Sequence, residues 1–194
     1  MVRIILITGF APYSNFKRNP SGEIAELLDG SYFKGEELKG IKLEVKYSEI
    51  EGRYLDQLKE KYSLIVNTGL APSSRSISLE KIAINWQTDI KDEEGVSPST
   101  GRIEEKAPDA IFARIDVEKI IHSLRSGGIP SEISYFAGTF LCNKIFFTTL
   151  YRTDVPAGFI HLPFTPDASL DGKYPTMDME LMIKAVEMVI QKVI

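Results

Sequence analysis

Cysteine and histidine are the residue types in this sequence that could support nucleophilic catalysis. The only cysteine, Cys142, follows the small residues Ala137 and Gly138 and falls in the first turn of a predicted helix. Unpaired N–H groups and the positive end of the helix dipole there favour a thiolate, which is the nucleophile that acyl transfer requires. A lone cysteine is also often a small buried apolar residue. Both interpretations of Cys142 therefore stay open at this point.

The two histidines differ in their predicted surroundings. His122 lies on a predicted helix, away from its apolar face, which predicts an exposed position. His161 lies toward the end of a predicted strand over 157–164, and open α/β sheets bind ligands beyond the carboxyl ends of their strands. One helix and its loop separate Cys142 from His161, so the two side chains could meet at one edge of the sheet. The alternative for His161 is a core histidine that is hydrogen-bonded to the backbone.

An imidazole that acts as a base needs an acceptor to fix its tautomer, and Glu80 is the candidate. In an extended segment over 76–84, Glu80 shares a face with Ile82 and Ile84. A carboxylate among aliphatic side chains is unfavourable unless it has a partner. The alternative is a surface ion pair with a neighbouring basic residue.

The elements that must position these side chains alternate along the chain. Apolar patterns predict strands over 2–8, 41–45, 64–67, 133–136 and 157–164, and helices after Pro20, over 51–62, 117–125 and 139–151, and after Pro175. The segment 75–86 is predicted to be extended, and 89–108 is predicted to be a long mobile loop. Alternating strands and helices predict one α/β domain over residues 1–194, a three-layer α/β/α sandwich around a mostly parallel twisted sheet.

The composition argues against several classes of function. The 194 residues include 27 acidic and 23 basic ones, which give a formal net charge of -4 without a block of like charge, so no nucleic-acid partner is expected. No apolar run approaches the roughly 18 residues of a membrane span, and no signal-peptide pattern is present, so we expect a cytoplasmic protein without membrane contact. One cysteine and two histidines cannot form a Cys/His zinc site, and nucleotide-binding motifs are absent, so neither a metal nor a cofactor is expected.

Six short motifs are distributed along the chain between residues 8 and 163. They are Thr8-Gly9-Phe10-Ala11-Pro12-Tyr13, Asn19-Pro20-Ser21, Gly69-Leu70-Ala71-Pro72, the segment 77–85 around Glu80, the segment 137–143 around Cys142 and the segment 158–163 around His161. In type and order they resemble the motifs of the pyroglutamyl peptidase I family, the cysteine peptidases of family C15. Because three of them would carry catalytic residues, the resemblance is specific.

The resemblance implies a peptidase that removes an N-terminal pyroglutamyl residue from peptides. Cys142, His161 and Glu80 would form the catalytic triad, with a thioester intermediate. Aromatic side chains and backbone groups would bind the pyroglutamyl ring, and the implied substrate-binding residues are Phe10, Tyr13, Asn19, Leu70, Ala71 and Phe140. The resemblance also implies a phosphorylase/hydrolase-like fold and a homo-oligomer, a tetramer or a dimer.

The sequence departs from the family pattern in places. The arginine that the family usually carries after the Asn85 segment is absent, and Lys91 is the nearest cation. Tyr13 replaces the second phenylalanine of the pocket. These departures keep a second hypothesis open, a catalytically impaired homologue that binds a pyroglutamyl or similar small acyl ligand. A nucleoside-phosphorylase-like enzyme would need a phosphate-binding loop, and the sequence offers none.

Overall fold

The computed structural model describes residues 3–194 and arranges them around a seven-stranded sheet. The strands are β1 (Ile4–Phe10), β2 (Tyr32–Phe33), β3 (Glu36–Leu43), β4 (Leu64–Leu70), β5 (Ile77–Glu80), β6 (Ile82–Ile84), β7 (Ala110–Phe112), β8 (Ser131–Ser134) and β9 (Ala157–Leu162). The sheet has the order β2-β3-β1-β4-β9-β5-β8, and β6 and β7 form a separate antiparallel pair. Strands β3, β1, β4 and β9 run parallel, whereas β2 is antiparallel to β3 and β5 is antiparallel to β9. The sheet is therefore mostly parallel, as the sequence predicts.

Helices cover both faces of this sheet. They are α1 (Pro20–Leu28), α2 (Tyr47–Glu49), α3 (Leu55–Gln57), α4 (Val117–Ser126), α5 (Leu141–Arg152) and α6 (Met179–Val193), with a π-helical turn over Ile50–Tyr54 and a short 3-10 turn over Pro166–Ala168. One apolar cluster contains buried residues of α1, α4 and α6, and a second contains those of α5 and of the segment 47–54. In β1, Ile5 and Ile7 belong to the first cluster and Leu6 to the second, as the alternation of a strand requires. The predicted three-layer sandwich is confirmed.

Local sequence signals explain where two of these helices begin. Asn19 caps α1 by accepting a hydrogen bond from the Ser21 N–H, and Pro20 occupies the first turn, where its missing N–H costs nothing. Asp116 caps α4 in the same way by accepting from the Lys119 N–H. Apolar residues of α4 face the core and leave His122 exposed, which confirms the prediction for this histidine.

The carboxyl end of α5 is bound by the guanidinium group of Arg114. It donates hydrogen bonds to the carbonyl oxygens of Leu150, Thr153 and Val155 at 2.7, 2.6 and 2.9 Å. The last carbonyls of a helix have no partner within the helix, and a cation there complements the helix dipole. The backbone N–H of Arg114 also donates to the carbonyl of Ala157, the first residue of β9. Arg114 therefore fixes the connection from α5 to β9.

The extended segment predicted over 75–86 is two strands in different sheets. The chain changes sheet at Lys81, whose N–H donates to the Ser134 carbonyl and whose own carbonyl accepts from Ala113. Glu80 therefore belongs to the seven-stranded sheet, and the prediction that it shares a face with Ile82 and Ile84 was wrong. The alternation that suggested one face is interrupted by this change of direction.

The segment 89–108 was expected to be a mobile loop, but hydrogen bonds tie it to the rest of the fold. The carboxylate of Asp92 accepts hydrogen bonds from the backbone N–H groups of Tyr47, Glu94 and Val96, each at 2.9 Å. Burial opposes ionisation of Asp92, but these three donors outweigh it and lower the pKa of the carboxyl group. The backbone of the segment is also bound directly, since the Glu93 N–H donates to the Val45 carbonyl and the Gly101 N–H to the Gln87 carbonyl.

Candidate active site

Glu80 and His161 lie on neighbouring strands and are hydrogen-bonded to each other. Strand β5 pairs with β9 so that Glu80 lies opposite Phe159. Nδ1 of His161 donates to Oε1 of Glu80 at 2.7 Å. The two side chains are 12% and 1% exposed. Because Nδ1 is held by the carboxylate, Nε2 is the ring nitrogen that remains for chemistry.

The carboxylate of Glu80 has little other compensation for its burial. Its second oxygen, Oε2, is buried and has no hydrogen-bond partner within residues 3–194. A buried carboxylate is unfavourable unless it is paired with a positive charge or with hydrogen-bond donors. The interaction with His161 is therefore strongest when the imidazole is protonated.

Cys142 lies in the first turn of α5, as the sequence predicts. The residue that caps this helix, Phe140, offers no side-chain acceptor, and the first hydrogen bond of the helix runs from the Lys144 N–H to the Phe140 carbonyl at 3.0 Å. The N–H groups of Leu141, Cys142 and Asn143 precede that bond. Free N–H groups at a helix start can bind an anion or a developing oxyanion.

Cys142 and His161 both lie beside Gly69: the Cys142 sulfur would be 2.8 Å from a Cβ atom on Gly69, and Gly69 pairs with His161 across β4 and β9. Burial of the imidazole opposes its protonation, but the contacts with Cys142 and Glu80 outweigh burial and raise the pKa of His161 to about 9. The imidazole therefore carries a positive charge at neutral pH, beside the sulfur of Cys142. The arrangement of a thiol, an imidazole and a carboxylate can support nucleophilic acyl transfer.

Gly69 makes the close approach of the cysteine to the sheet possible. It lies on β4 opposite His161, and a Cβ atom built on it would be 2.8 Å from the Cys142 Sγ and 2.8 Å from the Phe159 Cζ. No larger residue fits there without moving the sulfur. The sequence analysis did not single out Gly69 for this role, although a glycine at the end of an apolar strand is a signal of close approach.

Asn143 is a second residue near the site that the sequence analysis did not single out. Its amide donates to the carbonyls of Ile84 and Trp86 at 2.8 and 3.0 Å and accepts from the Ile84 N–H at 3.0 Å. These bonds attach the segment after Glu80 to the first turn of α5. The available sequence signal was an asparagine next to the cysteine in a predicted helix, and its full burial in the structure explains why its amide needs these partners.

A cavity opens beside Cys142. Its lining is mostly apolar and consists of Phe10, Tyr13, Asn19, Val45, Leu70, Phe140, Leu141 and Cys142. Five of the six predicted substrate-binding residues are thus brought together around the sulfur. Val45 and Leu141 were not predicted, because neither a strand valine nor a helix leucine can be distinguished from a core residue by its type.

Ala71 does not line this cavity, unlike the other predicted binding residues. Its N–H donates to the Leu162 carbonyl at 2.8 Å, and its carbonyl accepts from the Ser74 N–H at 3.0 Å. Both backbone groups of Ala71 are therefore used within the fold. The expected contact of its backbone with a lactam ring has no support in this arrangement.

Asn19 and Tyr13 contribute to the cavity in different ways. The side chain of Asn19 donates to the Ala11 carbonyl at 3.1 Å and accepts from Ser21, so its polar atoms maintain the wall. Burial, together with the charges of Cys142 and Glu93, raises the pKa of Tyr13 to about 12. The Tyr13 hydroxyl therefore stays protonated at neutral pH and can act as a donor.

The raised pKa of His161 leads us to expect a pH dependence of stability. A histidine with its ordinary pKa titrates at 6.5, whereas His161 in the folded protein titrates at about 9. Its contribution to the free energy of unfolding is therefore complete below pH 6.5 and is lost as the pH rises through about 9. We expect urea denaturation to show this loss in the wild type but not in His161→Gln. An equal loss in both proteins would assign the dependence to other groups.

Two possible features are not found in the part of the chain that the structure covers. No helix among residues 3–194 has the length and apolar character that crossing a bilayer demands. Over the same residues, histidine, cysteine, aspartate and glutamate do not form a group of three that could hold a metal ion.

Comparison with known proteins identifies relatives along almost the whole chain. The family model described as pyroglutamyl peptidase, Peptidase_C15, matches residues 3–194. A pyrrolidone-carboxylate peptidase of Thermococcus litoralis is 39% identical, and the match covers 96% of this chain and 91% of the relative. One of Lactobacillus acidophilus is 35% identical, with 94% of each chain covered.

Solved structures give the same result. The pyrrolidone carboxyl peptidase from Thermococcus litoralis superposes with a TM-score of 0.89 at 38% identity, covering 99% of this chain and 93% of that one. A mutant pyrrolidone carboxyl peptidase from P. furiosus superposes with a TM-score of 0.93 at 33% identity, covering 98% and 97%. On the strength of the family model, the curated relatives and the shared fold, the chain belongs to the pyroglutamyl peptidase family of cysteine hydrolases.

Proposed function

We propose that this protein hydrolyses the amide bond that follows an N-terminal pyroglutamyl residue of a peptide. The observation that carries the proposal is the hydrogen bond of His161 to a buried Glu80, close to the Cys142 sulfur and next to an apolar cavity. Family membership supports the same substrate class, because the relatives are named pyrrolidone-carboxylate peptidases.

The reaction begins with attack of the Cys142 sulfur on the carbonyl carbon of the pyroglutamyl residue. The C–N bond to the next residue breaks as the imidazolium of His161 gives its Nε2 proton to the leaving amine. The product on the enzyme is a thioester, and the freed peptide departs with a new amino terminus. Glu80 holds Nδ1 and stabilises the charged imidazole before this transfer.

Water completes the cycle. The neutral imidazole of His161 takes a proton from a water molecule, which attacks the thioester carbonyl. The C–S bond breaks, pyroglutamate is released, and the thiolate and the imidazolium are restored. In both steps negative charge develops on the carbonyl oxygen. The N–H groups in the first turn of α5, the turn that carries Cys142, are donors that can stabilise it.

The lining of the cavity supports selection of a neutral, cyclised amino terminus. The pyroglutamyl ring is flat and uncharged, and aromatic side chains such as Phe10 and Phe140 can stack on such a ring. An ordinary amino terminus carries an ammonium group, which would lose its hydration in this cavity. No carboxylate belongs to the lining formed by the described residues, so that loss would not be compensated.

Release of a fluorophore from a pyroglutamyl amide tests the proposal. We expect the wild-type protein, in the presence of a reducing agent, to hydrolyse this amide and to leave the corresponding alanyl amide intact, because only the first lacks an ammonium group. Hydrolysis of both amides would contradict the proposed specificity. A folded wild type that binds pyroglutamate and hydrolyses neither would instead support the impaired homologue.

A further inference from the structure

A second cavity lies beside the candidate active site. It is lined by Asn15, Phe16, Lys17, Arg18, Phe164, Asp167 and Ala168. One wall follows β1, which ends at Phe10 of the first cavity, and the other follows β9, which carries His161. These two strands are parallel to β4, so both walls begin at the sheet edge that holds the active site.

An aromatic contact joins the two cavities. The ring of Tyr13, which lines the first cavity, meets the ring of Phe16 edge-on, with 5.4 Å between the ring centroids. Phe16 is fixed from behind by Phe164 and Tyr174, at 4.9 and 5.7 Å. Phe16 therefore presents a rigid apolar surface directly beyond the pocket that would hold the pyroglutamyl ring. A peptide chain that leaves the first cavity past Tyr13 would therefore meet this surface.

The two basic residues that line the second cavity, Arg18 and Lys17, differ in whether they have carboxylate partners. Arg18 is bound by Glu23 and by Asp167, and the latter ion pair joins the two walls. Lys17 is exposed and forms no ion pair with any carboxylate of residues 3–194. A cation without a carboxylate partner beside the apolar Phe16 favours a ligand with a negative charge close to its apolar group.

We propose that this cavity binds the residue that follows the pyroglutamyl group, with its side chain on Phe16 and, in a dipeptide, its free carboxylate near Lys17. The proposal rests on the proposed function and deepens it. Its consequence is a preference for pyroglutamyl dipeptides whose second residue is aromatic and whose carboxyl terminus is free.

Three substrates of the wild-type protein test this preference by their kcat/KM values. We expect pyroglutamyl-phenylalanine to exceed pyroglutamyl-alanine by about fivefold, the scale of an aromatic contact. We expect it to exceed pyroglutamyl-phenylalanine amide by about threefold, the scale of a partly exposed ion pair. Equal values for the three substrates would overturn the proposal while leaving the proposed function intact. Failure to hydrolyse any of them would overturn both.

Two variants assign the preference to the cavity. Phe16→Ala should remove the difference between the phenylalanine and alanine substrates, and Lys17→Gln should remove the difference between the free acid and the amide. Each result is a ratio within one variant, so a general loss of folded protein cancels. Lys34→Gln is the matched control, because Lys34 lies in the turn before β3, at the opposite edge of the sheet. Ratios that persist in Phe16→Ala and Lys17→Gln would contradict the assignment.

Discussion

Replacement of Cys142 by alanine is expected to abolish hydrolysis of pyroglutamyl amides. Without the sulfur no thioester forms, and removal of the nucleophile from comparable hydrolases lowers kcat by about 10⁶-fold. Release of a fluorophore measures this loss directly. Residual activity within about tenfold of the wild type would show that water attacks the substrate without a covalent intermediate.

Cys142→Ser provides the matched control for this prediction. It keeps the shape of the side chain but replaces the thiolate by a weakly acidic hydroxyl, so we expect a similarly large loss of turnover.

Because Cys142 is the only cysteine of the chain, alkylation by iodoacetamide reports on this residue alone. Rapid alkylation of the wild type near pH 7 is expected, since the protonated His161 stands beside the sulfur. Slow alkylation would favour a structural thiol.

Replacement of Glu80 by glutamine is expected to have the next largest effect, a fall in kcat of about 10³- to 10⁴-fold. The amide has no charge to stabilise the imidazolium, and its NH₂ group can turn toward Nδ1 and impose the wrong tautomer. KM should change little, because Glu80 does not line the cavity. The loss of the carboxylate should also lower the pKa of His161 from about 9, which NMR titration of the imidazole can measure.

Glu132→Gln is the matched control for Glu80→Gln. Glu132 lies on β8 and accepts hydrogen bonds from Ser76 and Ser78 at 2.9 and 3.1 Å, but it does not contact His161. Its replacement is expected to leave kcat unchanged. If Glu80→Gln retained a tenth or more of the wild-type kcat, Glu80 would be a structural partner of His161 and the proposed triad would be wrong.

Much of the secondary structure follows from local sequence patterns. The helices α1, α4, α5 and α6 begin within a few residues of the expected positions, because caps and apolar periodicity are local properties. The pair of β6 and β7 was not predicted, since each strand has three residues and their partners are distant in sequence. The antiparallel direction of β5 beside β9 is likewise fixed only by tertiary packing.

In the candidate site, too, some features follow from the local sequence and others are fixed only by tertiary packing. The proximity of Cys142 and His161 could be anticipated, because a helix start and a strand end of consecutive elements reach one edge of the sheet. Glu80 was chosen for its supposed aliphatic neighbours, and the structure gives a different reason, the pairing of β5 with β9. The roles of these residues, the single domain over 1–194, the homo-oligomer and the cytoplasmic location stay predictions.

The hydrogen bonds of Arg114 make catalysis sensitive to a point far from the reacting atoms. The helix α5 has 12 residues and is therefore about 18 Å long, with Arg114 bound at one end and Cys142 near the other. A rotation of the helix by about 3° around the Arg114 end would displace the sulfur by about 1 Å over that length. A displacement of this size can cost a factor of about 100 in rate. The hydrogen bonds at the two ends of α5, from Arg114 and from Asn143, together with the burial of the helix, thus limit how far the nucleophile can move.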